Sequence, residues 1–409
     1  MSSVLAANSN SVNEKINLGF VGVAERGFGH LEWFGSHSDV EISAICDVDD
    51  GHLQKALQYT GGQAKAYKDF RKLLMQKDLD AVIISTPPHW HAIIALAAME
   101  AGKDVYCEKP MSRFPAEARA MAQSAKKNQR VTQVGTQVHA TTNYHRVVKI
   151  VKSGVLGQIT AARIFITMDD NSEGLGNPAD SAVPEGLNWD MWLGPAPETP
   201  FNIGRFRDGM HRYFKDYADS WLHELGPHIV DLPVWALELK DPLAVSAAGG
   251  RFATESIADV PDTMDVIWEY PGMNMTFTMM QQASFNFGVD KPGGGRKLGV
   301  VFHGKKANLL ANYDVCELVS ADGEPMELPE LDIPEPKGHE REFLDAIRTR
   351  EECSCSFENH YPLHLALNLA HVALNTGRKL HWDAERFECT GDPEATKNLT
   401  PTYRAPWKL

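Results

Sequence analysis

The sequence predicts an α/β protein, with an N-terminal Rossmann-type parallel sheet and a C-terminal α+β domain built on a mostly antiparallel open sheet. Three observations carry this. From residue 16 to 137, short β-branched runs alternate with helical stretches, the rhythm of βαβ units. A glycine-bearing turn, Gly22-Val-Ala-Glu-Arg-Gly27, joins the first strand to the first helix. Beyond residue 240, strand-like runs follow one another without helices between them, which argues antiparallel pairing.

Taken in order, Ile16–Val21 reads as a buried strand and Gly27–Phe34 as a helix. Val40–Cys46 is a second strand, followed by helical His52–Tyr59, a short extended piece at Ala64–Tyr67 and helical Asp69–Gln76. Ala81–Ser85 is a strand, and His89–Ala101 is an Ala-rich helix stopped by Gly102 at the C′ position. Asp104–Cys107 is a strand, Pro115–Lys127 a helix opened by proline, and Val131–Val134 the last strand of the set. Thr141–Ser153 is helical and Ile159–Met168 a long alternating strand. Residues 169–215, rich in Gly, Pro, Asn and Trp, read as a long irregular segment of the kind that carries function. Trp221–Leu239 reads as one helix. Strands are expected at Ala244–Phe252, Met264–Tyr270, Met273–Gln281, Leu298–His303, Ala307–Asn312 and Cys316–Val319, with Pro271-Gly272 turning one hairpin. His339–Thr349 and Tyr361–Asn375 are the last long helices. The domains expected are therefore a flexible N-terminus (1–15), a dinucleotide-binding domain (16–137), a substrate and oligomerisation domain (138–382) and an irregular tail (383–409).

Composition excludes several classes. The chain has 409 residues, 43% apolar and 23% charged, an ordinary globular balance. Its formal net charge is −14, which disfavours nucleic acid and anionic membranes as partners. No apolar run reaches the roughly 18 residues of a membrane span. The six cysteines include no CxxC and read as reduced structural thiols. Val4-Leu-Ala-Ala7 resembles the end of a secretory apolar region with its small-residue cleavage site. A chain starting inside an export signal reads this way and would work in the periplasm; otherwise the cytoplasm is expected.

The chemistry-bearing motifs follow the strands of the first domain. In the G-x-G-x-x-G pattern, Gly22 allows the tight turn, Gly27 allows close helix–strand packing, and Ala24 takes the place where backbone approaches a pyrophosphate, beside Arg26. Asp47 ends the second strand 20 residues past Gly27. A carboxylate there accepts from a ribose 2′-OH and repels a 2′-phosphate, so NAD is expected over NADP. Thr86-Pro87-Pro-His-Trp90-His91 forms a loop facing the same crevice, where Trp90 could cover a ring and His91 donate a hydrogen bond. Glu108-Lys109-Pro110 ends the fifth strand; a cis Lys109–Pro110 bond would turn Lys109 into the crevice. Further on, Glu224 and His228 are four residues apart on one helix face. A carboxylate there can orient the imidazole and raise its pKa. Which of Lys109 and His228 moves a proton stays open. Trp189, Tyr213 and His223 offer stacking faces and hydrogen-bond partners for a carbohydrate. A metal site from His211, His223, Glu224 and His228 matches no standard ligand spacing, so no metal is expected.

GFVGVAERG, ICDVD, STPPHWHAIIALAAMEAGKDVYCEKPMS, GTQ, LNWDMWLGPAP and ELGPHIVDLPVWAL together resemble the Gfo/Idh/MocA family of glucose–fructose oxidoreductase and inositol dehydrogenase. The resemblance runs from about residue 16 to the closing RAPWKL. It implies a Rossmann domain followed by an α/β domain whose open sheet makes subunit contacts, hence a homo-oligomer (dimer or tetramer). It also implies an NAD-dependent oxidoreductase acting on a sugar, glycoside or cyclitol hydroxyl. Lys109 matches the family's catalytic lysine, and Glu224-Leu-Gly-Pro-His228 its D-x-G-x-H segment, with His228 as acid/base. Glu224 stands where Asp is usual, and Gln137 stands where many relatives have Asn, on the nicotinamide side. The alternatives are a redox-neutral, NAD-dependent glycoside hydrolase and a cofactor-binding regulator without turnover.

Overall fold

The computed structural model describes residues 15–409 except 169–173, 208, 282–296 and 334; the suspected export remnant lies outside the described residues. The first domain holds β1 (Ile16–Val21), β2 (Val40–Cys46), β3 (Lys65–Tyr67), β4 (Ala81–Ile84), β5 (Asp104–Glu108) and β6 (Thr132–Gly135). All pair in parallel, in the order β3-β2-β1-β4-β5-β6. The strand order reverses between β1 and β4, so a crevice opens at their carboxyl ends. Both strands are buried on both faces, which explains their unbroken apolar runs. Phe20 and Ile83 face a core with Phe34, Tyr106 and Phe343, while Val82 and Ile84 face one with Ala95 and Met121.

Helix α1 (Glu25–Gly35) leaves the first turn with its N-terminus toward the crevice. Ala24 is its N-cap, and no side chain caps the terminus. Gly22 has φ +82°, and a Cβ at Gly27 would sit 1.9 Å from the Gly22 carbonyl oxygen. Both glycines are therefore demanded by the turn itself.

The second domain rests on a ten-stranded sheet. Its strands are β7 (Ile159–Met168), β8 (Ala244–Gly250), β9 (Thr263–Tyr270), β10 (Met273–Gln281), β11 (Lys297–Gly304), β12 (Ala307–Ala311), β13 (Cys316–Ser320), β14 (Pro325–Met326), β15 (Leu380–Asp383) and β16 (Glu388–Cys389). The order is β14-β13-β12-β11-β7-β10-β9-β8-β15-β16. Among the described residues every pair is antiparallel except central β7–β10. One sheet face packs on helices, so β10 alternates buried and half-buried positions.

The structure departs from the sequence reading in three ways. Trp221–Leu239 is two helices, α2 (Trp221–Ile229) and α3 (Asp231–Ala236). Pro233 cannot donate to the Ile229 carbonyl and its ring crowds it, so the chain breaks there. The tail is ordered in part: β16 pairs with β15, and Pro393–Lys397 is a helix whose N-cap, Asp392, accepts from the Ala395 amide. Late chain also returns to the first domain. Helix α4 (His339–Thr349) supplies Phe343 and Leu344 to the Rossmann core, and Trp407 packs edge-on against Trp90 with ring centroids 4.6 Å apart. Helix α5 (Phe357–Thr376) spans the junction: Phe357 packs in the first core and Leu363–Ala373 in the second.

Candidate active site

A cleft with about 970 Å³ of empty space lies over the carboxyl ends of β1, β2 and β4. Gly22, Ala24, Arg26 and Asp47 line one side, with Thr86, Pro87 and Trp90 beside them. Met191, Trp192, Phe206, His211 and Arg212 of the second domain close the other side. The uncapped N-terminus of α1 and the Cβ-free turn at Gly22 and Gly27 suit a diphosphate. Asp47 is pinned at the rim, where Oδ2 accepts from the Val23 amide (2.8 Å) and Oδ1 from the Asp49 amide (3.0 Å). Each oxygen can accept a further hydrogen bond, and Oδ1 also stands 3.5 Å from His52 Nδ1.

Below the cleft sits Glu108, buried at 4% exposure. Its Oε1 lies 2.7 Å from His30 Nε2, 3.0 Å from Arg26 Nε and 3.0 Å from Gln137 Nε2. Burial raises its pKa, but the His30 hydrogen bond and the Arg26 charge outweigh that and hold the carboxyl well below the usual range. Gly135 makes room for it, since a Cβ there would stand 2.9 Å from the carboxylate. Glu108 and Gln137, expected as cofactor contacts, thus brace Arg26 from beneath.

Lys109, Glu224 and His228 do not themselves line this cleft; Glu224 meets Arg212, which does. The Lys109–Pro110 bond is cis. Lys109 Nζ lies 2.9 Å from Glu224 Oε1 and donates to the Glu224 carbonyl oxygen at 3.1 Å. Arg212 Nη2 is 3.8 Å from the same carboxylate oxygen. Burial raises the Glu224 pKa, but Arg212 and Lys109 together overcome it and keep the carboxylate charged. His228, 8% exposed, has Nδ1 buried without a hydrogen-bond partner. Burial, then the Lys109 charge, lower it to about 3 despite the opposing Glu224 charge. His211 is also lowered to about 3, by burial and then by Arg212.

Several expectations change here. Glu224 and His228 share a helix, but Glu224 turns to Lys109 and Arg212, makes no hydrogen bond to His228 and does not raise its pKa above the ordinary value. His91 lies outside the cleft lining, with its nitrogens on the Pro110 carbonyl (2.7 Å) and the Thr86 carbonyl (2.8 Å), tying the two loops together. Trp189 stacks on Trp192 at 4.6 Å and donates to the Thr199 carbonyl, away from the main cleft. Tyr213 is buried edge-on against Trp221. His223 bonds Asn368 Oδ1 at 2.8 Å, and burial takes it to about 4. The sequence reading missed Arg212, Met191, Phe206 and Lys68. The only signal for Arg212 was its place in the irregular 169–215 segment, next to His211.

Residues 16–136 match the Gfo/Idh/MocA oxidoreductase family's NAD-binding Rossmann fold, and residues 140–258 and 321–409 match its C-terminal alpha/beta domain.

The chain belongs to the Gfo/Idh/MocA oxidoreductase family.

Two curated relatives are named glycosyl hydrolase family 109 proteins. One, from Shewanella sp. (strain MR-4), is 32% identical over 154 residues, 36% of this chain and 34% of that protein. The other, from Shewanella baltica (strain OS195), is 34% identical over 156 residues, 35% of this chain and 33% of that protein. The chain thus spans about a third of the length of the curated relatives it matches. Among solved structures, GenD2 from gentamicin A biosynthesis, in complex with NAD, superposes with a TM-score of 0.67 at 20% identity, covering 93% of this chain and 100% of that one. Levoglucosan dehydrogenase with NADH and levoglucosan gives 0.67 at 20% identity, covering 90% and 99%. At that identity the likeness shows the fold. No helix among the described residues is long and apolar enough to cross a membrane.

Proposed function

We propose that this chain is an NAD-dependent enzyme that transfers a hydride between the nicotinamide and a hydroxyl-bearing carbon of a sugar, glycoside or cyclitol. The observation that carries the reading is the Lys109–Glu224 pair at 2.9 Å, with His228 on the same short helix, joined to the dinucleotide-type cleft through Arg212, which lines it and stands 3.8 Å from Glu224. Oxidising a carbinol needs a hydride acceptor at carbon and a proton acceptor at oxygen. Bound NAD supplies the hydride acceptor. Lys109, aimed by Glu224, donates a hydrogen bond to the substrate oxygen. His228, kept neutral by burial, offers a lone pair to the leaving proton. Glu224 therefore acts on Lys109 rather than as the orienter of His228. Gly22, Ala24 and the α1 N-terminus would hold the diphosphate, with Arg26 beside them. Asp47 would hold the adenosine ribose and select NAD over NADP. Trp90 and Trp192 wall the groove. The outer face of the ten-stranded sheet is where a second copy would dock.

A second reading has one specific observation in its favour, the family 109 glycosyl hydrolase relatives. In it the same oxidation is transient: it lets the glycosidic bond break, and returning the hydride leaves no net redox change. One experiment separates the readings. Purified protein is assayed with sugars, inositols and chromogenic glycosides, with and without added NAD. NADH accumulation supports the dehydrogenase. Released aglycone without NADH supports the hydrolase. Unchanged turnover in Lys109→Ala would refute both assignments of the site.

A further inference from the structure

We propose that His139, Cys355 and His360 hold one zinc-like transition-metal ion at the junction of the two domains. The donor atoms of all three lie within 4.8 Å of one another, and all three residues are buried. Zinc sits about 2.0–2.1 Å from imidazole nitrogen and 2.3 Å from thiolate sulfur, so each donor would move inward by less than about 1 Å.

Four features favour a cation at this cluster. His360 Nε2 is buried with no hydrogen-bond partner, although imidazole nitrogens at such depth are normally bonded. His139 donates Nδ1–H to Asp231 Oδ2 at 2.7 Å, which leaves the lone pair on its second nitrogen; carboxylates commonly buttress metal-binding histidines in this way. The charge balances: a thiolate and the Asp231 carboxylate together offset a divalent cation, and Asp231 Oδ1 also stands 3.7 Å from His360 Nε2. The charged groups that act most strongly on Cys355 are the carboxylates Asp231 and Glu342, which favour a cation there. The other cluster of this kind among the described residues, Asp219, His223 and His371, already holds a cation, because Arg113 lies 2.7 Å from Asp219.

The ion would enter from a neighbouring cleft. That cleft's lining includes Ala140 and Ser354, the chain neighbours of His139 and Cys355, and its acids Glu342, Asp345, Glu351 and Glu352 outnumber its one lysine, Lys337. On binding, the Cys355 thiol proton leaves to solvent and a metal–sulfur bond forms; nothing is oxidised or reduced. The ion would clip three segments together: the turn after β6, the loop before α5, and α5 itself. It shares no residue with the Lys109–Glu224 site and does not depend on the proposed reaction.

The test uses the full chain, stripped with a chelator and titrated with Co²⁺ as a spectroscopic probe. One equivalent of cobalt with a thiolate charge-transfer band, displaced by zinc, is expected. Cys355→Ser should lose the band while Cys353→Ser keeps it, and Asp231→Asn should weaken binding about 10–100-fold. No stoichiometric uptake, or a band that survives in Cys355→Ser, overturns the proposal. If Cys355→Ser does not fold, X-ray absorption on the zinc-loaded wild type decides. One sulfur beside nitrogen neighbours supports the site, and nitrogen and oxygen neighbours alone overturn it.

Discussion

Glu224 is where the geometry makes its sharpest demand. Its Oε1 faces Lys109 Nζ at 2.9 Å and Arg212 Nη2 at 3.8 Å, and the Lys109 and Glu224 side chains are only 9% and 8% exposed. At an effective dielectric of about 20, these separations give attractions of about 6 and about 4 kcal/mol, opposed by desolvation. Removing one partner of a buried pair typically costs about 3–5 kcal/mol, because the other charge is left uncompensated. Glu224→Gln leaves two cations facing each other across a neutral amide. Its unfolding transition should fall by roughly 3–6 °C in differential scanning fluorimetry at pH 7. Glu224→Ala opens a carboxylate-sized gap between the same cations, so added formate should recover part of the loss there and leave wild type unmoved. Glu224→Asp keeps the charge but retreats by one methylene and should lie between. A Glu224→Gln variant melting within a degree of wild type, with Glu224→Ala insensitive to formate, would refute the claim that this carboxylate holds Lys109 in place.

Other consequences follow from the same coordinates. Gly27→Ala places a methyl carbon 1.9 Å from the Gly22 carbonyl oxygen, so NAD affinity by isothermal titration should fall at least about 100-fold, or about 2.7 kcal/mol; unchanged affinity would place the dinucleotide elsewhere. Asp47→Ala removes the acceptor of the Val23 and Asp49 amides and should weaken NAD by about 1–3 kcal/mol while weakening NADP less; an equal loss for both would remove its role in selectivity. His211, His228, His339 and His364 are each lowered by burial to about 3. Below about pH 6.5 the unfolded chain therefore binds protons that the native chain refuses. Stability present at neutral pH is then lost as pH falls from about 6.5 toward 3, by about 1.4 kcal/mol per pH unit for each such ring. Urea unfolding at pH 7 and pH 5.5 measures this, and His228→Asn should flatten the slope; equal stability at the two pH values would contradict the burial of these rings.

The division of labour between sequence and tertiary structure is visible residue by residue. Ile16–Val21, Gly22, Gly27 and Asp47 were legible because a strand, a tight turn, a helix start and a second strand end lie within 32 residues, where local periodicity and backbone sterics decide. Met273–Gln281 and His339–Thr349 were legible for the same reason: side-chain alternation and helical spacing are local properties. The break at Val230 was written in Pro233, but the apolar stretch around it masked the signal. Long-range geometry escaped. Glu224 and His228 share a helix face, yet helix spacing is silent on which way a flexible carboxylate turns. Lys109, 115 residues away, and Arg212 settle that, because opposite charges in a poorly solvated site attract more strongly than a neutral ring does. Trp189, Tyr213 and His223 looked like binding groups because aromatic and imidazole side chains serve cores and sites alike; only packing separates the two uses. Residues 139, 355 and 360 carry no common motif, and the fold alone brings their donors together. The order of residues thus determined the elements and the dinucleotide turn by itself, and the tertiary structure decided which charges meet, since through-space attraction ignores distance along the chain.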